Sequence, residues 1–249
     1  MVPVRAEPSD KSEIRTQLLF GDHFEVKEAS EKWVLIKTAY DDYEGWIDPK
    51  QYVAITADTF SKLDGIAYLS GLVVSQPLKK ASGEIINMVP GSSLPLFDGN
   101  YVYLADMEYG FTGKTVKPDA GLFAQDIESV AKFYLHTPYL WGGKSTFGID
   151  CSGLTQMVFK QFGIKIKRDT WQQAEQGEVV SSLSEAKAGD LAFFDNADGR
   201  IIHVGIILEN NEIIHASGRV KIERIDEKGI YSEELSRYTH QLKIIRRYH

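Results

Sequence analysis

The sequence predicts an α+β protein: small β units in front, then a half that runs helices first and strands afterwards. Three observations predict it. Residues 1 to about 115 are short strand-like runs separated by turn residues. From Phe123 the apolar residues recur at three- and four-residue steps, the spacing of a helix with one buried face. Beyond Leu191 the apolar runs are short again, and helices segregated from antiparallel strands make an α+β arrangement.

Taken in order, residues 1–55 hold the runs Leu18-Leu-Phe20, His23-Phe-Glu-Val26, Trp33-Val-Leu-Ile-Lys37 and Gly45-Trp46-Ile47, with Gly21-Asp22 as a turn and Pro49 after the last. Five or so short strands on an aromatic core are expected, with Trp33 and Trp46 as packing residues. Residues 56–116 repeat the texture. Gly65–Leu69, Leu72–Val74, Ile85–Val89 and Tyr101–Leu104 read as strands, broken at Gly83, Pro90-Gly91 and Asp98-Gly99. Lys114–Gly121 reads as a linker into a third region, 117–249.

There Ile127, Val130, Ala131, Tyr134 and Leu135 form one helical stripe that ends before Pro138. A second helix follows Cys151, with Leu154, Met157, Val158 and Phe162 on its apolar face and Gly163 as its stop. Asp169 is placed to cap a third, short helix beginning at Thr170. Leu191–Phe194, His203–Leu208, Ile213–Ala216 and Leu242–Ile245 then read as strands.

Composition narrows the function classes. With 249 residues and 43% hydrophobic content there is material for real cores. The formal charge of -7 argues against a binder of nucleic acid or anionic membrane, which needs a basic face. No apolar run approaches the roughly 20 residues of a membrane helix. The N-terminus shows no basic head followed by an apolar stretch, so a cytoplasmic protein is expected, or an exported one if a leader preceded Met1. A monomer is expected.

Cys151 is the single cysteine, so no internal disulfide forms. A lone cysteine is most often a small buried hydrophobe. Its polar, glycine-rich flanks (Gly142, Gly143, Gly148) and the histidines downstream point instead to a reactive thiol. At the first turn of a helix the peptide dipoles are expected to lower its pKa from about 8.5. One cysteine and two histidines at these spacings match no zinc pattern, and no fourth ligand suggests itself. Gly142-Gly-Lys-Ser145 fails as a phosphate loop because Pro138 stands where that motif needs glycine.

Ile201 to Ala216 reads as a hairpin turning at Asn210-Asn211. A two-residue loop would pair His215 with Ile206 and turn it away from His203. A three-residue loop, Glu209 to Asn211, would pair it with Gly205 and make the two histidines diagonal neighbours on one face. The longer loop is expected.

Five ordered segments carry a resemblance: Pro138-Tyr-Leu-Trp-Gly-Gly-Lys144, Gly148-Ile-Asp-Cys-Ser-Gly153, Arg168-Asp-Thr170, Ala188-Gly-Asp-Leu-Ala-Phe-Phe194 and His203-Val-Gly-Ile206. Together they resemble the NlpC/P60 cysteine peptidases of bacterial cell-wall peptides, over roughly residues 120 to 249. Within that family the chain is most similar to γ-D-glutamyl-L-diamino-acid endopeptidases that carry SH3-like domains in front. The resemblance implies a papain-like fold behind two SH3-like barrels, and no cofactor. It implies Cys151 as nucleophile, His203 as base and His215 as the residue that orients it. It also implies a substrate site drawn from Tyr139, Asp150, Ser152, Arg168, Asp169 and Thr170, with a murein-derived peptide as the partner. Asp169 falls where the family binds a free L-alanine ammonium, and reads equally as only a helix cap. Arg168 reads also as a solvated charge. Glu7 and Tyr43 are the candidates by which the first SH3-like domain walls off the amine, with Tyr40 or Glu44 as substitutes. Open alternatives are a non-catalytic cell-wall-binding protein, or an amidase or transferase on the same fold.

Overall fold

A computed structural model describes residues 1–63, 65 and 68–249. The chain forms two compact units, Met1–Pro118 and Asp119–His249.

The first unit opens with β1 (Val2–Arg5), β2 (Ile14–Leu18), β3 (Phe24–Ala29), β4 (Val34–Thr38) and β5 (Glu44–Ile47), an antiparallel sheet in the order β2-β1-β5-β4-β3. Alternation along the strands turns Val4, Leu18, Val34, Ile36 and Ile47 into one buried cluster, against which Phe24 and Tyr52 pack. The core is therefore mainly aliphatic, which corrects the expected aromatic one. Val34 and Ile47 point inward, so their neighbours Trp33 and Trp46 point away and stand half-buried.

A helix, α1 (Ala57–Lys62), follows where only strands were expected; the Thr56 hydroxyl caps it by accepting from the Thr59 N–H. Then come β6 (Leu69–Ser70), β7 (Gln76–Lys80), β8 (Ile85–Met88), β9 (Tyr101–Leu104), β10 (Met107–Gly110) and β11 (Thr115–Val116). Strands β8-β7-β10-β9 make a second sheet over Leu78, Met88, Val102, Tyr109 and Phe111, and β11 pairs with β6. Of the strand expected over Gly65–Leu69, Ile66 and Ala67 lie outside the described residues. Leu72–Val74 is not a strand, because the Val73 N–H bonds back to the Gly71 carbonyl and folds the segment on itself.

The second unit holds α2 (Phe123–Lys132), β12 (Lys144–Ser145), β13 (Gly148–Ile149), α3 (Cys151–Lys160), α4 (Thr170–Ala174) and β14 (Glu178–Val180). After them run β15 (Leu191–Asp195), β16 (Ile201–Ile207), β17 (Glu212–Ser217), β18 (Arg219–Asp226), β19 (Gly229–Ser232) and β20 (Arg237–Arg247). The sheet order is β14-β20-β15-β16-β17-β18-β19, and β19 pairs again with β20, which closes six strands into a ring. Closure removes the open edge a sheet otherwise presents. Ala192, Phe194, Ile207, Ile213, Ile225, Ile230 and Ile245 pack together on its inner face. Helices α3 and α4 pack against β16, so the cysteine helix lies on the strand that bears His203. Among the described residues no helix is long and apolar enough to cross a membrane.

Candidate active site

Cys151 occupies the first position of α3 because Asp150 caps that helix: its Oδ1 accepts from the Gly153 N–H at 2.7 Å. The other oxygen, Oδ2, accepts from the Gly142 N–H at 2.8 Å and from Arg168 Nη2 at 2.7 Å. Arg168 Nη1 in turn donates to Ser152 Oγ at 2.7 Å. Gly153 is required here, since a Cβ would come within 2.3 Å of the Gly143 carbonyl oxygen. The loop over residues 140–149 is thus fastened to the first turn of α3 by one carboxylate. Gln173 fastens α4 to the same turn, bonding Thr155 Oγ1 and the Ser152 carbonyl. That places Thr170 Oγ1 3.8 Å from Cys151 Sγ.

The sulfur also accepts from the backbone N–H of Val204, the residue after His203 on β16. Pairing of β16 with β17 is Gly205 to His215 and Ile207 to Ile213, so the hairpin loop is the three-residue one, Glu209–Asn211. Asn210 and Asn211 are left-handed, at φ 58° and 57°. His203 and His215 accordingly share a face, and His203 Nε2 lies 2.8 Å from His215 Nδ1. Gly205 makes that diagonal contact possible: a Cβ there would sit 2.7 Å from Ile213 and 3.0 Å from the His215 Cβ.

One more step continues the row. His215 pairs with Lys221 on β18, and Glu223, two residues on, accepts from His215 Nε2 at 2.9 Å through Oε2. Lys221 Nζ lies 3.1 Å from its Oε1. Burial pushes the Glu223 carboxyl up, but His215, Ser232 and Lys221 outweigh it and hold the group at about 2. His203 is held well below the ordinary imidazole range, by burial first and then by His215 and His240. His215 is lowered by burial despite Glu223. Both rings are neutral at pH 7.

The thiol departs from expectation. Burial pushes Cys151 up to about 11, with the Asp150 carboxylate adding to it; Thr170, the Val204 N–H and Arg168 pull the other way and lose. The helix-start position does not bring this pKa down, because Cys151 is only 5% exposed and burial is the largest influence on it. At rest the thiol and both imidazoles are uncharged.

A family model described as "NlpC/P60 family" matches residues 136–239, and one described as "Bacterial dipeptidyl-peptidase Sh3 domain" matches residues 4–51. The chain is 32% identical to gamma-D-glutamyl-L-lysine dipeptidyl-peptidase of Bacillus subtilis, over 89% of this chain and 79% of that one. The chain belongs to the NlpC/P60 family. It is also 29% identical to dipeptidyl-peptidase 6 of Lysinibacillus sphaericus, over 95% and 93% of the two chains. The same fold is seen in a solved NlpC/P60 family protein from Bacillus cereus ATCC 10987, with a TM-score of 0.76 and 24% identity over 94% of this chain and 82% of that one. The chain is a peptidase of this family, with an α+β fold and an SH3-like β unit in front.

Within the NlpC/P60 unit, the residues expected at the substrate separate into two groups. Asp150, Ser152 and Arg168 are buried and joined through Arg168, and they hold the elbow where the 140–149 loop meets the first turn of α3. In particular, Arg168 is 1% exposed, which corrects its reading as a solvated charge. Tyr139, Asp169 and Thr170 are half-buried. Burial, with Cys151 and Asp150, pushes the Tyr139 hydroxyl up, so it stays a proton donor. Asp169 takes part in a capping box with Gln172 at the start of α4. In the first unit Glu7 is exposed and Tyr43 half-buried.

His240 stacks on His203 with ring centroids 4.1 Å apart and planes 24° from parallel. Its pKa is lowered to about 4, chiefly by burial. The nitrogens of His203, His215 and His240 come within 4.8 Å of one another, as metal ligands do. Stacked rings send their in-plane lone pairs side by side, however, and the facing nitrogens of His203 and His215 already bond each other. That geometry suits proton transfer better than ligation. Neither His240 nor Glu223 is among the site residues the sequence suggests, and Gly205 enters there only as the residue across the hairpin from His215.

Proposed function

We propose that the chain is a cysteine endopeptidase that hydrolyses the γ-D-Glu–diamino acid bond of murein-derived peptides bearing a free N-terminal L-Ala. It acts in the cytoplasm on peptides being recycled. The observation that carries this reading is the sulfur of Cys151 lying against the backbone of β16 beside His203, whose far nitrogen is bonded to His215. Cys151 attacks the amide carbonyl and the thiol proton passes to His203 Nδ1 as the S–C bond forms. His203 then gives the proton to the leaving amine, and water hydrolyses the thioester. The Cys151 N–H, at the first position of α3, has no carbonyl within its own helix to bond and serves the oxyanion together with the Tyr139 hydroxyl.

Asp169, next to Thr170 at the sulfur, binds the substrate ammonium. A carboxylate facing an ammonium makes a strong charge-assisted bond that an acylated amine cannot supply. Relatives named gamma-D-glutamyl-L-lysine dipeptidyl-peptidase, from Bacillus subtilis and Bacillus cereus, support the bond class. The test is mass spectrometry of products from L-Ala-γ-D-Glu-diaminopimelate and from its N-acetylated form. Cleavage of the first alone, absent in Cys151→Ala and lost in Asp169→Lys, is expected. Equal cleavage of both peptides refutes the amine clamp, and an active Cys151→Ala refutes the cysteine mechanism.

A further inference from the structure

Resting on the cysteine-peptidase reading, we propose that Glu223 is the positioning residue that sets the tautomers of both histidines, and that Lys221 sets which way Glu223 can act. The row runs diagonally across three hydrogen-bonded strands: His203 on β16, His215 on β17, then Glu223 and Lys221 on β18. By alternation all four lie on the face shared with Ile207, Ile213 and Ile225; the two rings are buried and the Glu223 and Lys221 side chains are only 9% and 16% exposed, so solvent screens the row weakly. A carboxylate only accepts hydrogen bonds and an ammonium only donates them, which gives the row a direction.

Consider the protons in turn. Glu223 Oε2 accepts, so the neutral His215 carries its proton on Nε2 and its Nδ1 is bare. That bare Nδ1 faces His203 Nε2 at 2.8 Å, so His203 carries its proton on Nε2. The remaining His203 nitrogen, Nδ1, is then unprotonated and is the one that takes the proton from sulfur. When it does so, the positive charge on His203 is relayed no further than the hydrogen bonds. No proton need leave His215, because Glu223 stays ionised. Lys221, on the other oxygen of Glu223, supplies the donor that keeps the carboxylate charged. The other titratable group facing the pair is His240, stacked on His203.

This makes Glu223→Gln unlike a simple loss of charge. The Lys221 ammonium must meet an oxygen, so the amide turns its carbonyl towards Lys221 and its NH2 towards His215. His215 Nε2 then has to accept, its Nδ1 takes the proton, and His203 is forced to protonate Nδ1. The base is blocked by a proton on the wrong nitrogen. Removing Lys221 as well frees the amide to flip, so that its oxygen again accepts from His215 Nε2–H.

The test has two readouts. Nitrogen-15 spectra of the ring nitrogens of His203 and His215, at neutral pH and without substrate, are expected to show both rings protonated on Nε2 in the parent, on Nδ1 in Glu223→Gln, and on Nε2 again in Glu223→Gln/Lys221→Met. With the murein tripeptide, Glu223→Gln is expected to lose roughly 10²–10⁴-fold in kcat with KM little changed. The double variant is expected to regain at least about tenfold over the single one, which additive damage does not do. Parent spectra showing His203 protonated on Nδ1 overturn the proposal even where Glu223→Gln does not fold. So does a Glu223→Gln kcat within about threefold of the parent, or a double variant no better than the single. A parent that leaves the tripeptide intact speaks against the proposed function only, since the spectra still report the relay.

Discussion

Replacing Arg168 by methionine separates two roles that its place in the sequence left open. The guanidinium is 1% exposed, and its partner Asp150 has a side chain 7% exposed. Methionine fills much of the volume but leaves the Asp150 carboxylate with only the Gly142 and Gly153 N–H groups, in a site water does not reach. Breaking a buried pair from one side costs about 3–5 kcal/mol. For a unit of this size each kcal/mol moves the melting point by roughly 3–4 °C, so Arg168→Met is expected to unfold about 10–20 °C below the parent. Adding Asp150→Asn removes the stranded charge and returns part of the loss. Circular dichroism melts at pH 7 measure both. Melting within about 3 °C of the parent, with tripeptide turnover abolished, refutes the argument. Arg168 would then contribute to the substrate rather than to the elbow.

Gly205→Ala places a methyl group against Ile213 and the His215 Cβ, so kcat is expected to fall at least about tenfold with the fold retained by circular dichroism. Full activity would show that the His203–His215 contact does not need the gap. His240→Ala removes the ring stacked on His203 and is expected to lower kcat/KM about two- to tenfold, the worth of one aromatic pair, while His240→Phe restores it; an inert His240→Phe would mean that the nitrogens matter. The reactive state holds one proton between Cys151 and His203. It is lost on the acid side only as pH falls through the lowered His203 value, below 6.5, and on the alkaline side as pH rises through the thiol value near 11. The kcat/KM plateau is therefore expected to extend below pH 6.5, and thiolate absorbance, taken as the difference from Cys151→Ala, to grow in towards about pH 11. Thiolate already present at pH 7 would contradict this and restore the effect of the helix dipole.

The loop count between His203 and His215 was enough to derive their pairing, because strand periodicity is strict and only one loop length puts both rings on one face. The α3 stripe was legible for the same reason, with Gly163 at φ 75° just past its end. Other features needed the register of strands far apart in sequence. Lys221-Ile-Glu-Arg-Ile-Asp226 has the composition of a solvated edge, and only its pairing with β17 brings Glu223 to His215. His240 lies on β20, whose partners β15 and β19 hold it over His203. The thiol pKa was misjudged because a dipole is visible in a sequence while the desolvation opposing it is not. The Leu72–Val74 run misled as well: three apolar residues between Gly71 and Ser75 look like a strand, whereas the strand is β7, which begins at Gln76 and pairs with β8.

The tip of the β16–β17 hairpin, Glu209 to Asn211, is bound to α2 through the Glu209 N–H and Glu128 at 2.7 Å. Hairpin tips are ordinarily where a family gains and loses residues at little cost. Here a deletion of one residue would let the strands zip together again, half a pleat out of step, with the second imidazole facing away from the first. Such a protein would still assemble and would have lost its chemistry, so over evolutionary time the length of this tip is expected to be as constrained as the identity of the cysteine.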